Sequence, residues 1–316
     1  SIKLNLATRN SASDWEAINA LKPWVKSVEK ATGNKISIDI YYSQALTRGP
    51  DAWEAVKTGV ADIALCSHNY WSGLTPLTEV INLPGLPFRT AEKGSEILWK
   101  IYRKYPEIQN EFSDVKVLVL YTSNPYVLMT RNARLNGLND LKELRISVTD
   151  QLQAAQIRSL GGIPVEIPLP DNYLALQKGI IDGMGAPWLL IHRFKLYEVV
   201  NYFTEVPLPA EFFSLIINKH VWEGMSSTSK KAILSVSGLN GSKRWGAKTF
   251  DSVKTNMAGR GNRKGLRVTV NSLAETERKK WIDKASKPFW DQWIKKMEAN
   301  GHTNARHILN SILGMK

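Results

Sequence analysis

Apolar residues recur along this chain in two periods. The runs IKLNLAT at the start, ISIDIYY (Ile36 to Tyr42), VKVLVLYTS (Val115 to Ser123), YVLMTR (Tyr126 to Arg131), IPVEIPL (Ile163 to Leu169) and PLPAEFFSLIIN (Pro207 to Asn218) predict strands. RVTVN (Arg267 to Asn271) predicts a short one. Between them the apolar positions fall on helical faces. Ser13 and Glu16 read as a capping box for a helix to about Thr32, with Ile18, Leu21, Val25 and Val28 on one face, a kink at Pro23 and a stop at Gly33. Further helices are predicted over Glu92 to Tyr105, Thr149 to Leu160, Trp188 to Val200 and most of Lys219 to Asn256. A last helix starts from a second box, Ser272 with Glu275. It carries a stripe of Trp281, Ala285, Phe289, Trp293 and Met297 that reads as core, and Pro288 should kink or divide it.

One pattern occurs twice. Asp51 to Asp62 reads DAWEAVKTGVAD and Asp171 to Asp182 reads DNYLALQKGIID. Each is a short helix with an aromatic and an aliphatic residue on its apolar face, ended by Gly59 or Gly179, and each lies between two apolar strands. Two such units imply two similar α/β lobes with a cleft between them. Asn124 and Pro125 look like the crossover from one lobe to the other, and the strand over 207–218 returns the chain. The expected division is 1–123 plus about 210–248 for lobe I, and 124–209 plus about 249–316 for lobe II.

Composition narrows the class without naming it. At 316 residues, 43% hydrophobic and 22% charged, the chain reads as an ordinary globular protein, and it has no run of eighteen apolar residues. It opens at Ser1 without Met, as a chain would whose targeting segment had been removed. The single cysteine, Cys66, excludes an intrachain disulfide and reads as a buried, inert thiol. The net charge of +13 raises the question of nucleic acid. Its densest patches, Arg260 with Arg263, Lys264 and Arg267, then Arg278 to Lys280, match no nucleic-acid module and read as solvated surface that attracts anionic solutes.

Catalytic and metal signatures fail. There is no GxSxG, HExxH or paired CxxC, and GRGNRKG (Gly259 to Gly265) has the wrong spacing for a phosphate loop. His302 and His307 do not share a helical face, and Asp62 and Asp182 sit where strands start, so both read as structural. No metal or cofactor is expected. The candidate chemistry lies at carboxyl strand ends, where open α/β sheets bind ligands. Arg9 follows the first strand. Ser67, His68, Asn69, Tyr70 and Trp71 follow the strand of the first repeat, and Ala186, Pro187 and Trp188 follow that of the second. Leu169 closes the strand before the second repeat. Polar groups beside aromatic walls suit a small-molecule pocket, although packing explains Tyr70 and Trp71 equally well.

The segments AWEAVKTGVADIAL, LPGLPF, LNDLKELRISV, PLPDNYLALQKGIIDG and INKHVW together resemble the extracytoplasmic solute-binding proteins of TRAP transporters, the DctP-type family. The specific part is Asp171, Tyr173, Ala175, Leu176, Gln177, Gly179, Asp182 and Gly183 in that order. The resemblance implies a two-lobed periplasmic-binding-protein-like α/β fold with an interlobe cleft and a long helix spanning both lobes. It also implies a monomeric periplasmic receptor that closes on one small ligand and delivers it to a membrane permease, without catalysis. In most relatives an arginine that grips a substrate carboxylate stands where this chain has Ser147, and Glu-Asn often stands at Gly185 and Ala186. Three ligand classes therefore stay open. An anion, slightly favoured, would be held by Arg9 or, second, Arg131. A neutral hydroxylated solute would use Ser67, Asn69 and Trp188. A small amine would sit among Tyr70, Trp71, Trp188, Phe212 and Phe213 with Glu211 nearby. A periplasmic enzyme on the same scaffold and a basic nucleic-acid-binding protein are the alternatives of another class.

Overall fold

The computed structural model describes residues 2–257, 260–261, 265 and 269–315. Strands β1 (Ile2–Ala7), β2 (Ile36–Tyr41), β3 (Ile63–Ser67), β4 (Val115–Thr122), β5 (Val127–Thr130), β6 (Arg145–Val148), β7 (Ile163–Glu166), β8 (Gly183–Ala186), β9 (Tyr202–Glu205), β10 (Phe212–Asn218) and β11 (Thr269–Ser272) form two sheets. The first has the order β2-β1-β3-β10-β4 and the second β11-β9-β5-β8-β6-β7. Each is parallel at its core and carries an antiparallel strand that directly follows a crossing from the other sheet, β10 in the first sheet and β5 in the second. The strand expected over 267–271 begins at Thr269, and Arg263, Lys264 and Arg267 of the basic patch lie outside the described residues.

The duplicated pattern folds the same way twice. A single 3-10 turn leads into helix Ala52–Thr58 or Asn172–Lys178, and the helix ends on glycine in the left-handed region, Gly59 at φ 82° and Gly179 at φ 75°. The two aspartates then act alike. Asp62 Oδ2 accepts from the Asn5 backbone N–H at 2.8 Å, and Asp182 Oδ2 accepts from the Arg145 backbone N–H at 2.8 Å. Each stitches its own strand to the parallel neighbour, away from the carboxyl ends.

Two short connections join the sheets, one from β4 to β5 and one from β9 to β10. They are bonded to each other, Ser123 N to Glu211 O at 2.9 Å and Tyr126 N to Pro209 O at 2.8 Å. A third link is the helical run Gly238–Gly246, Ala247–Asp251 (a π-turn) and Ser252–Met257. Trp245 packs beside Trp24 and Tyr121 at the first sheet, while the Ser252–Met257 segment lies against helix Trp188–Arg193 of the second. The long helix spanning both lobes is therefore present, and its register changes midway.

Several local expectations change. Ser13 does not cap its helix. Asp14 Oδ1 accepts from the Glu16 N–H at 3.0 Å instead, because Glu16 is drawn into the interior. A π-turn over Ala17–Leu21 precedes Pro23, which cannot donate a backbone bond, and this widened turn rotates Ile18 out to 49% exposure while Leu21, Val25 and Val28 stay buried. The helix predicted from Ser272 begins at Glu275 without a side-chain cap, since the Ser272 hydroxyl bonds Glu205 at 3.2 Å. Lys195, at φ 51°, breaks the helix expected over 188–200. The division at Pro288 holds, into Glu275–Ala285 and Lys287–Ala299. It redirects the chain: Trp281 and Ala285 pack with Ile146 of β6 and Ile157 of helix Gln151–Ser159, whereas Ile294, Met297, Ile308 and Leu309 pack with Leu98 and Ile101 of helix Ala91–Lys104. Helix Glu275–Ala285 thus packs on the side of the second sheet, and helices Lys287–Ala299 and Ala305–Leu313 on the side of the first.

Candidate functional site

β1 and β3 are parallel neighbours, so the residues after them emerge at one edge. There the Arg9 guanidinium lies 5.8 Å from the Tyr70 ring centre and 5.9 Å from that of Phe213, and it donates to the Tyr70 hydroxyl at 3.4 Å. Tyr70 rests on Gly49, where a Cβ would come within 2.8 Å of the ring. Burial disfavours the Arg9 charge, but Tyr70, Glu16 and Glu211 outweigh it and the group is held more firmly protonated. Among the described residues no carboxylate forms an ion pair with Arg9 within 4.0 Å.

The second lobe meets this edge at the crossing that holds Glu211. Its carboxylate accepts from the Tyr126 hydroxyl and from the Asn69 amide and feels the charge of Arg9. Burial raises the Glu211 pKa against those three influences. Tyr126 in turn bonds Thr149 and lies near Asp150, both just past the carboxyl end of β6. A line of polar groups thus runs from the strand ends of the first sheet to those of the second, Tyr70 with Arg9 and then Glu211 with Tyr126 and Thr149, and the Arg9 and Glu211 charges act on each other across the gap. Behind it, the buried Glu16 accepts from Asn10 at 2.7 Å, from Trp245 Nε1 at 3.0 Å and from the Tyr121 hydroxyl. It secures the Arg9 loop to β4 and to the spanning helix.

Of the expected residues, the structure gathers Arg9, Asn69, Tyr70, Glu211 and Phe213 at this junction, with Ser67 buried alongside in register with Phe213. Others take different places. Phe212 faces the opposite side of β10 from Phe213, as strand alternation requires, and stacks on His68 with ring centres 4.1 Å apart. Trp71 turns onto the first lobe's core, donating to Pro50 O at 2.7 Å with its edge to Trp53. Trp188 is a buried residue of the second lobe, edge-on to Phe203. Ala186 is buried in β8 and Leu169 packs on the apolar interior.

Arg131 is removed from the site. β5 runs antiparallel to β8, so its carboxyl end lies at the amino end of β8, where Arg131 N–H bonds Asp182 O at 2.9 Å and its guanidinium borders Gly179. Arg145 is spent structurally on Asp182, at 2.9 Å from both Nε and Nη2. Ser147 is fully buried in β6, and its hydroxyl has no hydrogen-bond partner among the described residues. Tyr126, Thr149 and Asp150 were not among the expected site residues; the last two follow a carboxyl strand end, the same signal that pointed to Arg9.

The family profile of bacterial extracellular solute-binding protein family 7, DctP, matches residues 6–296. The chain belongs to that family. Its members are solute-binding receptors of TRAP transporters, proteins that bind small molecules and work with a membrane permease. Among solved structures, a TRAP periplasmic solute-binding protein of Desulfovibrio salexigens is 27% identical, with a TM-score of 0.89 over 99% of this chain and 95% of that one. One from Rhodoferax ferrireducens, in complex with copurified benzoate, is 26% identical, with a TM-score of 0.82 over 100% and 97%. The outer membrane transporter protein TsaT of Comamonas testosteroni is 25% identical over 285 residues, covering 89% of this chain and 82% of that protein. The DctP relatives thus share the two-lobed architecture seen here. Among the described residues no helix is long and apolar enough to cross a membrane.

Proposed function

We propose that this chain is the periplasmic receptor of a TRAP transporter for a small aromatic carboxylate, held through its anionic end by Arg9 and delivered as a monomer to the permease. The observation that carries the reading is the Arg9 guanidinium between the Tyr70 and Phe213 rings, with no ion-pair partner among the described residues. A carboxylate presents two acceptors to a planar fork of donors, and an aryl group beyond it would lie against aromatic faces. Benzoate in the Rhodoferax ferrireducens relative supports the same class. Arg9 thereby does from β1 what the absent arginine at position 147 would do from β6.

The two bonded crossings support a closure mechanism. The bonded crossings at Ser123 and Glu211 act as hinge strands, and the ligand favours the closed form by touching both lobes at once. Closure excludes water and strengthens the Arg9 contact. No bond need be made or broken.

Calorimetry with benzoate, benzyl alcohol and benzylamine tests this. Benzoate should bind, the alcohol should bind at least about 30-fold more weakly, and Arg9→Gln should lose about 2 to 4 kcal/mol with benzoate. Preferred binding of benzylamine would transfer the role to Glu211, and equal binding of acid and alcohol would remove Arg9 from it.

A further inference from the structure

Glu211 has acceptor capacity that the fold leaves unused. It stands in the crossing between the sheets, two residues before Phe213, the spacing that puts both side chains on one face of an extended chain. Its backbone is committed, with the N–H on Ser123 Oγ at 3.0 Å and the C=O accepting from the Ser123 N–H at 2.9 Å. Its carboxylate accepts from Tyr126 and Asn69. Two carboxylate oxygens offer about four lone-pair positions, so about two remain. Glu211 is half-buried, as is Arg9, while Asn69, Tyr70, Thr149 and Asp150 around them are exposed, so this line of groups is reachable from solvent.

The charges along that line are uneven. Arg9 attracts the Glu211 carboxylate and Asp150 repels it. Asp150 is fixed as the cap of helix Gln151–Ser159, accepting from the Gln153 N–H at 2.7 Å. Two arginines of the second lobe lie elsewhere: Arg145 is bonded to Asp182 and Arg131 borders Gly179, both at the amino end of β8. The line therefore has a positive pole at Arg9 and a negative one at Glu211 and Asp150. A carboxylate suits the first pole. A second carboxylate would meet like charge at the other, where an O–H would find a free acceptor. We propose that Glu211 is the specificity-determining residue of this site: it selects an aryl carboxylate that carries a hydrogen-bond donor, such as a ring hydroxyl, on the side away from Arg9, and it rejects dicarboxylates. This deepens the reading of Arg9 as the carboxylate holder and rests on it.

Calorimetry of the full chain at neutral pH, as wild type, Glu211→Gln and Arg9→Gln, tests this with benzoate, 3- and 4-hydroxybenzoate, the matching methoxybenzoates, isophthalate and terephthalate. In the wild type one hydroxybenzoate should bind about tenfold tighter than benzoate, and its methoxy counterpart should lose that gain. Both dicarboxylates should bind at least about tenfold more weakly than benzoate. Glu211→Gln keeps an acceptor for Tyr126 and removes the charge. It should bring the hydroxy acids and the dicarboxylates to within about threefold of benzoate, a levelling that loss of a merely structural contact would not produce. The wild-type ranking decides the matter even if that variant does not fold. With benzoate still bound through Arg9, the inference is overturned if neither hydroxybenzoate binds tighter than benzoate, if a dicarboxylate matches it, or if Glu211→Gln leaves the ranking unchanged. Failure of benzoate to bind, or its unchanged binding in Arg9→Gln, overturns the Arg9 reading and this inference with it.

Discussion

His68 is buried at 4% exposure, with Nε2 2.9 Å from Ser214 Oγ, its ring stacked on Phe212, and no partner on Nδ1 among the described residues. Burial lowers its pKa to about 3, so the imidazole is neutral in the fold. The unfolded chain takes up a proton below about 6.5, which the folded chain refuses until about 3. Stability is therefore lost as pH falls from about 6.5, by about 2 kcal/mol at pH 5. Urea unfolding at pH 7 and pH 5 should show this loss in the wild type, and His68→Gln should lack it. Glu16 makes the opposite kind of demand. Its carboxylate accepts from three donors, and Glu16→Gln turns an NH2 toward one of them, which should cost about 2 to 3 kcal/mol at neutral pH by the same assay. At Gly49, alanine would push on the Tyr70 ring. Gly49→Ala should weaken benzoate binding several-fold with little change in stability, and an unchanged affinity would show that Tyr70 does not face the ligand.

At the scale of elements, the duplicated unit was legible because it rests on local rules. A glycine in the left-handed region ends each helix, and an aspartate immediately before each strand stitches it to its parallel neighbour. The pair Arg145 and Asp182 carries a pH signature of its own. The Arg145 hydrogen bond depresses the Asp182 pKa, so its stabilisation is complete above the ordinary aspartate value of about 4 and is lost as pH falls below it; Asp182→Asn should flatten that acid limb. What the local rules could not show is how closely helices approach. Gly246 of the spanning helix lies where a Cβ would come within 2.4 Å of Ser95 Oγ and 2.7 Å of Ala91 O. Gly246→Ala should therefore destabilise by about 1 to 3 kcal/mol despite the better helix propensity of alanine. The π-turn before Pro23 is a similar case, since the heptad-like spacing of Ile18 with Leu21 assumed an unbroken α-helical period.

For the whole molecule the question is what holds two lobes in register. Asp14 at the first lobe and Arg193 at the second pair at 2.8 Å, half-buried, beside an edge contact of Trp15 with His192. In the proposed receptor this pair favours the closed form. Asp14→Asn should weaken benzoate binding about three- to tenfold, mainly through faster dissociation, and stopped-flow fluorescence would read it. Solution scattering should show the radius of gyration fall on adding benzoate, and benzoate at 100 times its dissociation constant should raise stability by about 2.7 kcal/mol. The sequence by itself determined the α/β class, the paired lobes and the strand-end position of Arg9, because periodicity, glycine caps and strand direction act over a dozen residues. Only the tertiary structure decided which cation faces the junction, which side of β10 carries Phe213 and where the C-terminal helices pack. Those choices depend on which strands run antiparallel and which side chains meet across more than a hundred residues, and no local pattern encodes them.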